Sequence, residues 1–496
     1  MYRELTRNDI SRCVLCHDAP CTRACERMDP AGLLRSVYFG NEKGAAGRMG
    51  EALACASCPA PCEKACVRPG EVPIKKTMEK LFGETKAILE VPFPEGEERL
   101  RTDFLGIPLE NPFLLSSSVV ASTYEMCAAA FEAGWAGAAF KTVCSIDIHE
   151  ASPRFSAIKG SGGELIGFKN IEQLSDHSVA ENMEIFRRLK ENYPTKFILA
   201  SIMGQNDEEW ESLSRLCEEN GADAIELNFS CPNMMDAGLG SDIGQVPELV
   251  ERFTRAARRG TKFPILAKLT PNVATMSPAA EAALRGGADG IAAINTIKSV
   301  TGVNIHTLVA APSVRGRSAL GGYSGNAVKP IALRFIAELA QNPKLKGMHI
   351  SGMGGIETWK DGLEFLLLGA DSLQVTTAVM QYGYRIIDDL KAGLNLYLAE
   401  KRIDHVKDVV GEALDTLSDT TDVLERDTVL FPRFDTENCL GCGRCYISCQ
   451  DGGHQAIRME EGKPRLLGKN CVGCHLCRLV CPAGAIGIMR KRIQRG

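Results

Sequence analysis

Between residues 102 and 402, short apolar runs alternate with amphipathic stretches. The runs are FLLSSS (113–118), GAAFKT (137–142), FILASI (197–202), DAIELN (223–228), PILAKL (264–269), DGIAAI (289–294), MHISG (348–352) and DSLQV (371–375). Each is five or six residues of mostly apolar character, the mark of a strand covered on both faces. Between most of them, as in YEMCAAAFEAG, EEWESLSRLCEEN, VPELVERFTRAARR and PIALRFIAELA, apolar positions recur every three or four residues. That spacing predicts helices with one buried face. Eight β/α steps in about 300 residues predict an α/β fold of the TIM (β/α)8 type. An open doubly wound sheet is the alternative, but it favours a glycine fingerprint after an early strand, and none appears.

The flanks break this rhythm. Residues 1–83 are rich in cysteine with short helical stretches. Residues 84–101 carry two prolines and a charge run, and read as a linker. The barrel is expected over 102–402, a helical connector over 403–430, and a small terminal domain over 431–496. Lys and Arg total 57 against 62 Asp and Glu, a net charge of −5, which argues against a nucleic-acid or polybasic membrane binder. The opening MYRELTRND is charged and lacks the apolar core of a signal peptide. No apolar run reaches the roughly 18 residues of a membrane span. A cytoplasmic location is expected.

Cysteine changes the picture most. There are 20, eight between Cys13 and Cys66 and eight between Cys439 and Cys481. Only Cys127, Cys144, Cys217 and Cys231 lie in the long middle. Such clustering in a large acidic chain points to metal ligation rather than disulfides. Near the C-terminus, Cys439-x2-Cys442-x2-Cys445-x3-Cys449 is repeated as Cys471-x2-Cys474-x2-Cys477-x3-Cys481-Pro482. This is the spacing of a two-cluster ferredoxin, in which the fourth cysteine of each run serves the other cluster. One [4Fe–4S] centre is then expected on Cys439, Cys442, Cys445 and Cys481, the second on Cys449, Cys471, Cys474 and Cys477. The N-terminal pattern, Cys13-x2-Cys16-x4-Cys21-x3-Cys25 and Cys55-x2-Cys58-x3-Cys62-x3-Cys66, is less diagnostic. It provides for two further clusters, or for zinc ribbons.

In a TIM barrel the functional groups stand at the C-terminal strand ends. Those ends carry Ser116-Ser117-Ser118, Lys141-Thr142, Glu226 to Asn233, Lys268, Asn295-Thr296, Ser351-Gly352-Met353-Gly354-Gly355 and Thr376-Thr377. The last two groups follow the seventh and eighth runs, where barrels build phosphate sites. Two lysines in a barrel mouth call for an anion. A flavin would supply one through its phosphate and the charge that develops near N1; structural salt bridges are the other explanation.

The motifs LNFSCPN, AKLTPN, GGADGIAAINT and FEAGWAGAAFKT resemble the barrel of dihydropyrimidine dehydrogenase, a relative of the FMN-dependent dihydroorotate dehydrogenases. The resemblance runs from about residue 100 through the ferredoxin block, and is nearest to the bacterial subunit carrying barrel and clusters. It implies FMN, and interconversion of uracil or thymine with the 5,6-dihydropyrimidine. It places Ser117, Lys141, Asn170 and Lys268 at FMN, with Gly354, Gly355, Thr376 and Thr377 at its phosphate. Asn170, Glu172, Asn228, Ser230, Asn295 and Thr296 would face the pyrimidine. Cys231 would be the acid and base at C5; the bland alternative is a small buried apolar residue. Ser241 and Asp242 are the next candidates. The Gly-rich stretch 233–245 reads as a lid, and the role of 296–325 is open.

The N-terminal block resembles the helical iron–sulfur domain of dihydropyrimidine dehydrogenase and of the glutamate synthase small subunit. That likeness implies one cluster on Cys13, Cys16, Cys21 and Cys66. A second would use Cys25, Cys58 and Cys62, with Glu79 or Cys55 as fourth ligand. No strand-bound nicotinamide fingerprint is present. Electrons are therefore expected from a partner, an FAD/NAD(P)-binding reductase subunit or a ferredoxin, in a homodimer or hetero-oligomer. A related ene-reductase acting on another ring, or an electron-transfer subunit, are the alternative functions.

Overall fold

The computed structural model describes residues 5–49, 55, 57–160, 163–233, 240–424 and 428–489, and the backbone of 493–494. All eight apolar runs become strands of one closed parallel barrel: β1 (Phe113–Leu115), β2 (Gly137–Ala139), β3 (Phe197–Ile202), β4 (Ala224–Asn228), β5 (Ile265–Lys268), β6 (Gly290–Ala293), β7 (His349–Met353) and β8 (Ser372–Val375). Neighbours in sequence are neighbours in space, and β8 pairs with β1 to close the ring. Burial on both faces explains the uninterrupted apolar character: every residue of β3 and β4 is buried.

The barrel interior is filled by small and large side chains in alternation, among them Leu114, Ala139, Leu199, Ala224, Leu266 and Ala292. A hairpin of Thr102–Phe104 and Ile107–Leu109 plugs the N-terminal end. Its Phe104 ring lies edge-on to Phe197, 6.1 Å away, and to His349 at 5.6 Å, both at strand starts. The outer helices supply the second core layer.

Two segments do not belong to the eightfold pattern. Phe155–Lys159 and Leu165–Asn170 lie between β2 and β3. Ile297–Ser299 and Gly321–Ser324 lie between β6 and β7. They join into one four-stranded antiparallel sheet. Phe155, Phe168, Tyr323 and Ser324 of this sheet wall the barrel mouth. The 296–325 segment thus has a structural role.

The chain divides into two compact units, Met1–Leu414 and Asp415–Gly496. Short helices of the N-terminal block, including Pro30–Tyr38, Glu42–Arg48 and Ile74–Lys80, bury a small core of Ile10, Leu33, Leu34, Val37, Ile74, Met78 and Leu81. The block is fastened to the barrel by charge. Arg35 donates to buried Asp389 at 2.8 Å, and Lys43 to Glu400 at 2.9 Å. The stretch 84–101 is also pinned: the Asn395 amide donates to the Gly96 carbonyl at 2.7 Å and Lys391 pairs with Glu97 at 2.8 Å. The stretch 403–430 is no continuous helix. Its described residues form the short turns Val406–Val409, Leu414–Thr416 and Thr420–Val423 and the two-residue strand Thr428–Val429. Its Ser, Thr and Asp side chains compete for backbone hydrogen bonds and end helices early.

The C-terminal unit is built from antiparallel strand pairs, Pro432–Phe434 with Ile486–Ile488 and the hairpin Ile457–Glu460 with Lys463–Leu466, and the helices Arg444–Gly452 and Leu476–Leu479. Among the described residues, no helix is long and apolar enough to cross a membrane.

Candidate active site and cluster sites

The mouth of the barrel holds a cavity. Ser117, Lys141, Asn170, Glu172, Asn228, Cys231, Lys268, Asn295, Thr296, Gly354, Gly355, Thr376 and Thr377 all line it. These residues come from seven strand ends and the capping sheet, so only closure of the barrel brings them together. Ser230 is the exception. It is fully buried behind the wall, where its hydroxyl donates to Asn228 Oδ1 at 2.9 Å and accepts from Asn295 Nδ2 at 2.7 Å. Its neighbour Cys231 borders the cavity.

The two lysines have protein partners. Lys268 Nζ lies 2.7 Å from Ser117 Oγ and 3.3 Å from Glu226 Oε1, with Lys268 2% and Glu226 0% exposed. Lys141 Nζ lies 3.2 Å from Glu172 and 3.5 Å from Glu150. Their presence therefore demands no anion, which removes that part of the sequence argument. Glu226 stood among the strand-end groups without a role, and Glu150 escaped the sequence reading. A carboxylate inside the apolar run AIELN was the available signal for Glu226.

The fit to a flavin and a planar ring rests on other observations. Four buried side-chain oxygens at the cavity, on Gln173, Asn233, Glu357 and Gln374, have no hydrogen-bond partner among the described residues. Orphaned acceptors of this kind call for a donor from a ligand. The asparagines are oriented by the protein: Asn228 Nδ2 donates to Thr142 Oγ1 at 2.8 Å, and Asn170 Oδ1 accepts from Asn233 Nδ2 at 3.1 Å. Each keeps a second amide hydrogen unspent.

At the other end, Gly354 and Gly355 adopt φ +118° and +88°. A Cβ on Gly355 would sit 2.9 Å from Lys329 Cβ and 3.0 Å from the Gly325 carbonyl. Among the described residues, the amides of Gly354, Gly355 and Thr377 donate to no protein acceptor. The turn is held from behind by Asp361, whose carboxylate accepts from the Glu357 and Thr358 amides at 3.1 and 2.7 Å. Free amides on a fixed glycine turn are a cradle for phosphate oxygens.

Cys231 is 7% exposed, and burial pushes its thiol up to about 11, opposed by the Asn233 amide. It is thus a protonated thiol at neutral pH. Its carbonyl accepts from the Ser241 amide at 2.9 Å. Of the expected lid, 234–239 lie outside the described residues. Ser241–Gly244 is a helical turn, and neither Ser241 nor Asp242 borders the cavity. Cys127 and Cys217 are buried on outer helices.

The sixteen cysteines of the two flanking blocks gather in four sets around four cavities. In the C-terminal unit these are Cys439, Cys442, Cys445 and Cys481, and Cys449, Cys471, Cys474 and Cys477. In the N-terminal block they are Cys13, Cys16, Cys21 and Cys66, and Cys25, Cys55, Cys58 and Cys62. Glu79 is exposed and does not border the last cavity. Backbone amides of Gly441, Gly473, Ala456 and Arg68 lie 3.3–3.4 Å from the Cys439, Cys471, Cys449 and Cys66 sulfurs. Among the described residues no group of three or more His, Cys, Asp or Glu side chains is arranged for one metal ion. Four thiols around a void, with N–H donors to sulfur, suit a cubane better than zinc.

Comparison with known proteins agrees. Residues 99–398 match the dihydroorotate dehydrogenase family, and 433–488 the 4Fe-4S dicluster domain. The NAD-dependent dihydropyrimidine dehydrogenase subunit PreA of Escherichia coli (strain K12) is 52% identical over 362 residues, 73% of this chain and 88% of that one. The chloroplastic dihydropyrimidine dehydrogenase (NADP(+)) of Arabidopsis thaliana is 36% identical over 67% of this chain and 81% of its own. The dihydroorotate dehydrogenase B (NAD(+)) catalytic subunit of Pyrococcus abyssi is 37% identical over 64% of this chain and 99% of its own. With a dihydroorotate dehydrogenase-type barrel and a dicluster domain in one chain, this protein belongs to the dihydropyrimidine dehydrogenase family.

Proposed function

We propose that the chain interconverts uracil or thymine with the corresponding 5,6-dihydropyrimidine as an FMN- and iron–sulfur-dependent oxidoreductase acting on a CH–CH bond. The observation that carries this is the cavity itself: a glycine cradle with free amides at one end, and a protonated thiol among asparagines at the other. FMN bound there supplies hydride transfer to or from the ring and exchanges single electrons with the clusters. Gly354, Gly355, Thr376 and Thr377 would hold its phosphate, and Ser117, Lys141, Asn170 and Lys268 its ring system.

Asn170, Glu172, Asn228, Asn295 and Thr296 would pair with the alternating C=O and N–H edge of the pyrimidine. Ser230 acts one layer back, orienting Asn228 and Asn295. Cys231 donates a proton to C5 during ring reduction, and takes it back during oxidation. A thiol kept protonated by burial is ready for the first of these directions. The capping sheet keeps water from the ring.

The four cysteine sets would each hold a [4Fe–4S] cluster, with Cys55 rather than Glu79 completing the second N-terminal one. Electrons would enter from an FAD/NAD(P)-binding reductase subunit or a ferredoxin, in the reducing cytoplasm, within a homodimer or hetero-oligomer. Anaerobic mixing of the reduced protein with uracil or thymine tests the assignment. Stoichiometric flavin oxidation with formation of the dihydropyrimidine is expected. Oxidation by orotate alone would move the chain to dihydroorotate chemistry.

A further inference from the structure

Three of the Cys-x-x-Cys turns share one backbone shape. In Cys439–Cys442 and Cys471–Cys474 the residue before the second cysteine is glycine, Gly441 at φ +70° and Gly473 at +73°. Each glycine amide lies 3.4 Å from the sulfur of the first cysteine. The Cys13–Cys16 turn has the same shape, but the residue there is Leu15, at φ +51°. Its amide likewise faces the Cys13 thiol. A leucine is strained in the left-handed region, where its Cβ crowds the carbonyl oxygen. Such strain persists only when the surroundings enforce it.

The enforcing group is Arg385, which is 370 positions from Leu15 in sequence and stands on the turn Tyr384–Ile386 beyond β8. Its Nη2 donates to the Leu15 carbonyl at 2.7 Å, and its Nη1 to the Cys16 carbonyl at 3.2 Å. Its Nε donates to the Tyr382 carbonyl at 3.2 Å. One planar guanidinium thus joins the cysteine turn to the end of the helix Thr377–Tyr382. That helix begins at Thr377, on the wall of the barrel cavity.

We infer that Arg385 is the positioning residue of the first N-terminal cluster: a barrel side chain that holds the Cys13–Cys16 turn in ligating shape and sets a fixed positive charge beside it. The inference rests on the cluster reading above. It makes assembly of that cluster depend on the barrel, whereas glycine lets the C-terminal turns form unaided. A positive charge next to a cluster favours its reduced form, so Arg385 also raises the potential. Lysine is no substitute, because a single ammonium lacks the fork that grips two carbonyls at once.

Iron and sulfide content and redox-titrated EPR spectra of the whole protein test this. Arg385→Leu is expected to lose about four of about sixteen iron atoms per chain, with the C-terminal cluster signals unchanged. Adding Leu15→Gly to that variant should restore the iron, since glycine takes the turn without help. The restored cluster should still titrate at a lower potential than in the wild type, since the charge is absent. A merely structural role at the interface would not be repaired by a glycine at position 15. Full iron and unshifted signals in Arg385→Leu would overturn the inference, as would an iron loss that Leu15→Gly leaves unrepaired. Wild-type protein with only about eight iron atoms would overturn the N-terminal cluster reading itself, before any variant is made.

Discussion

Cys231 and Glu226 show what burial does to single residues at this site. Burial holds the Cys231 thiol at about 11, so its protonated form dominates across the neutral range. Ring reduction should then be nearly independent of pH up to the approach to 11. Ring oxidation needs the thiolate, and should rise about tenfold per pH unit over that range. Stopped-flow flavin traces in each direction report both slopes. Cys231→Ala should slow single-turnover oxidation of the flavin by uracil about 10²–10⁴-fold, with flavin and iron retained. A wild-type rate in that variant would make Cys231 a packing residue. Glu226→Gln leaves the buried Lys268 charge with only neutral partners, the Ser116 and Ser117 hydroxyls and the new amide, and should cost about 3–5 kcal/mol in urea unfolding. Cys231 could be read from its setting in Ser-Cys-Pro-Asn. The buried position of Ser230 could not, because it is set by the side chains of Asn228 and of Asn295, 65 positions away.

At the scale of elements, the strands of the barrel were legible because each is buried on both faces and therefore apolar throughout. The capping sheet was not. It pairs Lys169 with Tyr323 and Phe155 with Asn170 across two insertions, and segments of mixed polarity carry no periodic signature of such distant pairing. The glycine turn after β7 was legible as Gly-Met-Gly-Gly, and its need for glycine follows from φ +88° at Gly355 and the closeness of Lys329. Gly355→Ala should cost about 1–2 kcal/mol and release flavin on gel filtration. Tight flavin retention would show that the turn is not the phosphate cradle.

Over the whole molecule, the N-terminal block is tied to the barrel by charges as well as apolar contact. Asp389 is fully buried, accepts from Arg35 at 2.8 Å, and is also bonded by Ser36. Asp389→Ala removes the buried acceptor shared by Arg35, Ser36 and Arg48, leaves Arg35 only the exposed Asp388 at 3.2 Å, and should destabilise this interface by about 1–3 kcal/mol. Limited proteolysis should then cut within 84–101 sooner than in the wild type, and equal protection would show that apolar contacts suffice. Sequence by itself determined the eight-stranded barrel, the four cysteine sets in outline and the candidate acid, because strand burial, cluster ligation and strand-end chemistry each impose a local spacing. Only the tertiary structure decided the rest. It placed Cys55 rather than Glu79 at the second N-terminal cavity, paired both mouth lysines with carboxylates, turned Ser230 away from the mouth, and brought Arg385 to Leu15. These relations join residues tens to hundreds of positions apart, and they exist only once the ring of strands has closed and side chains have been buried against one another.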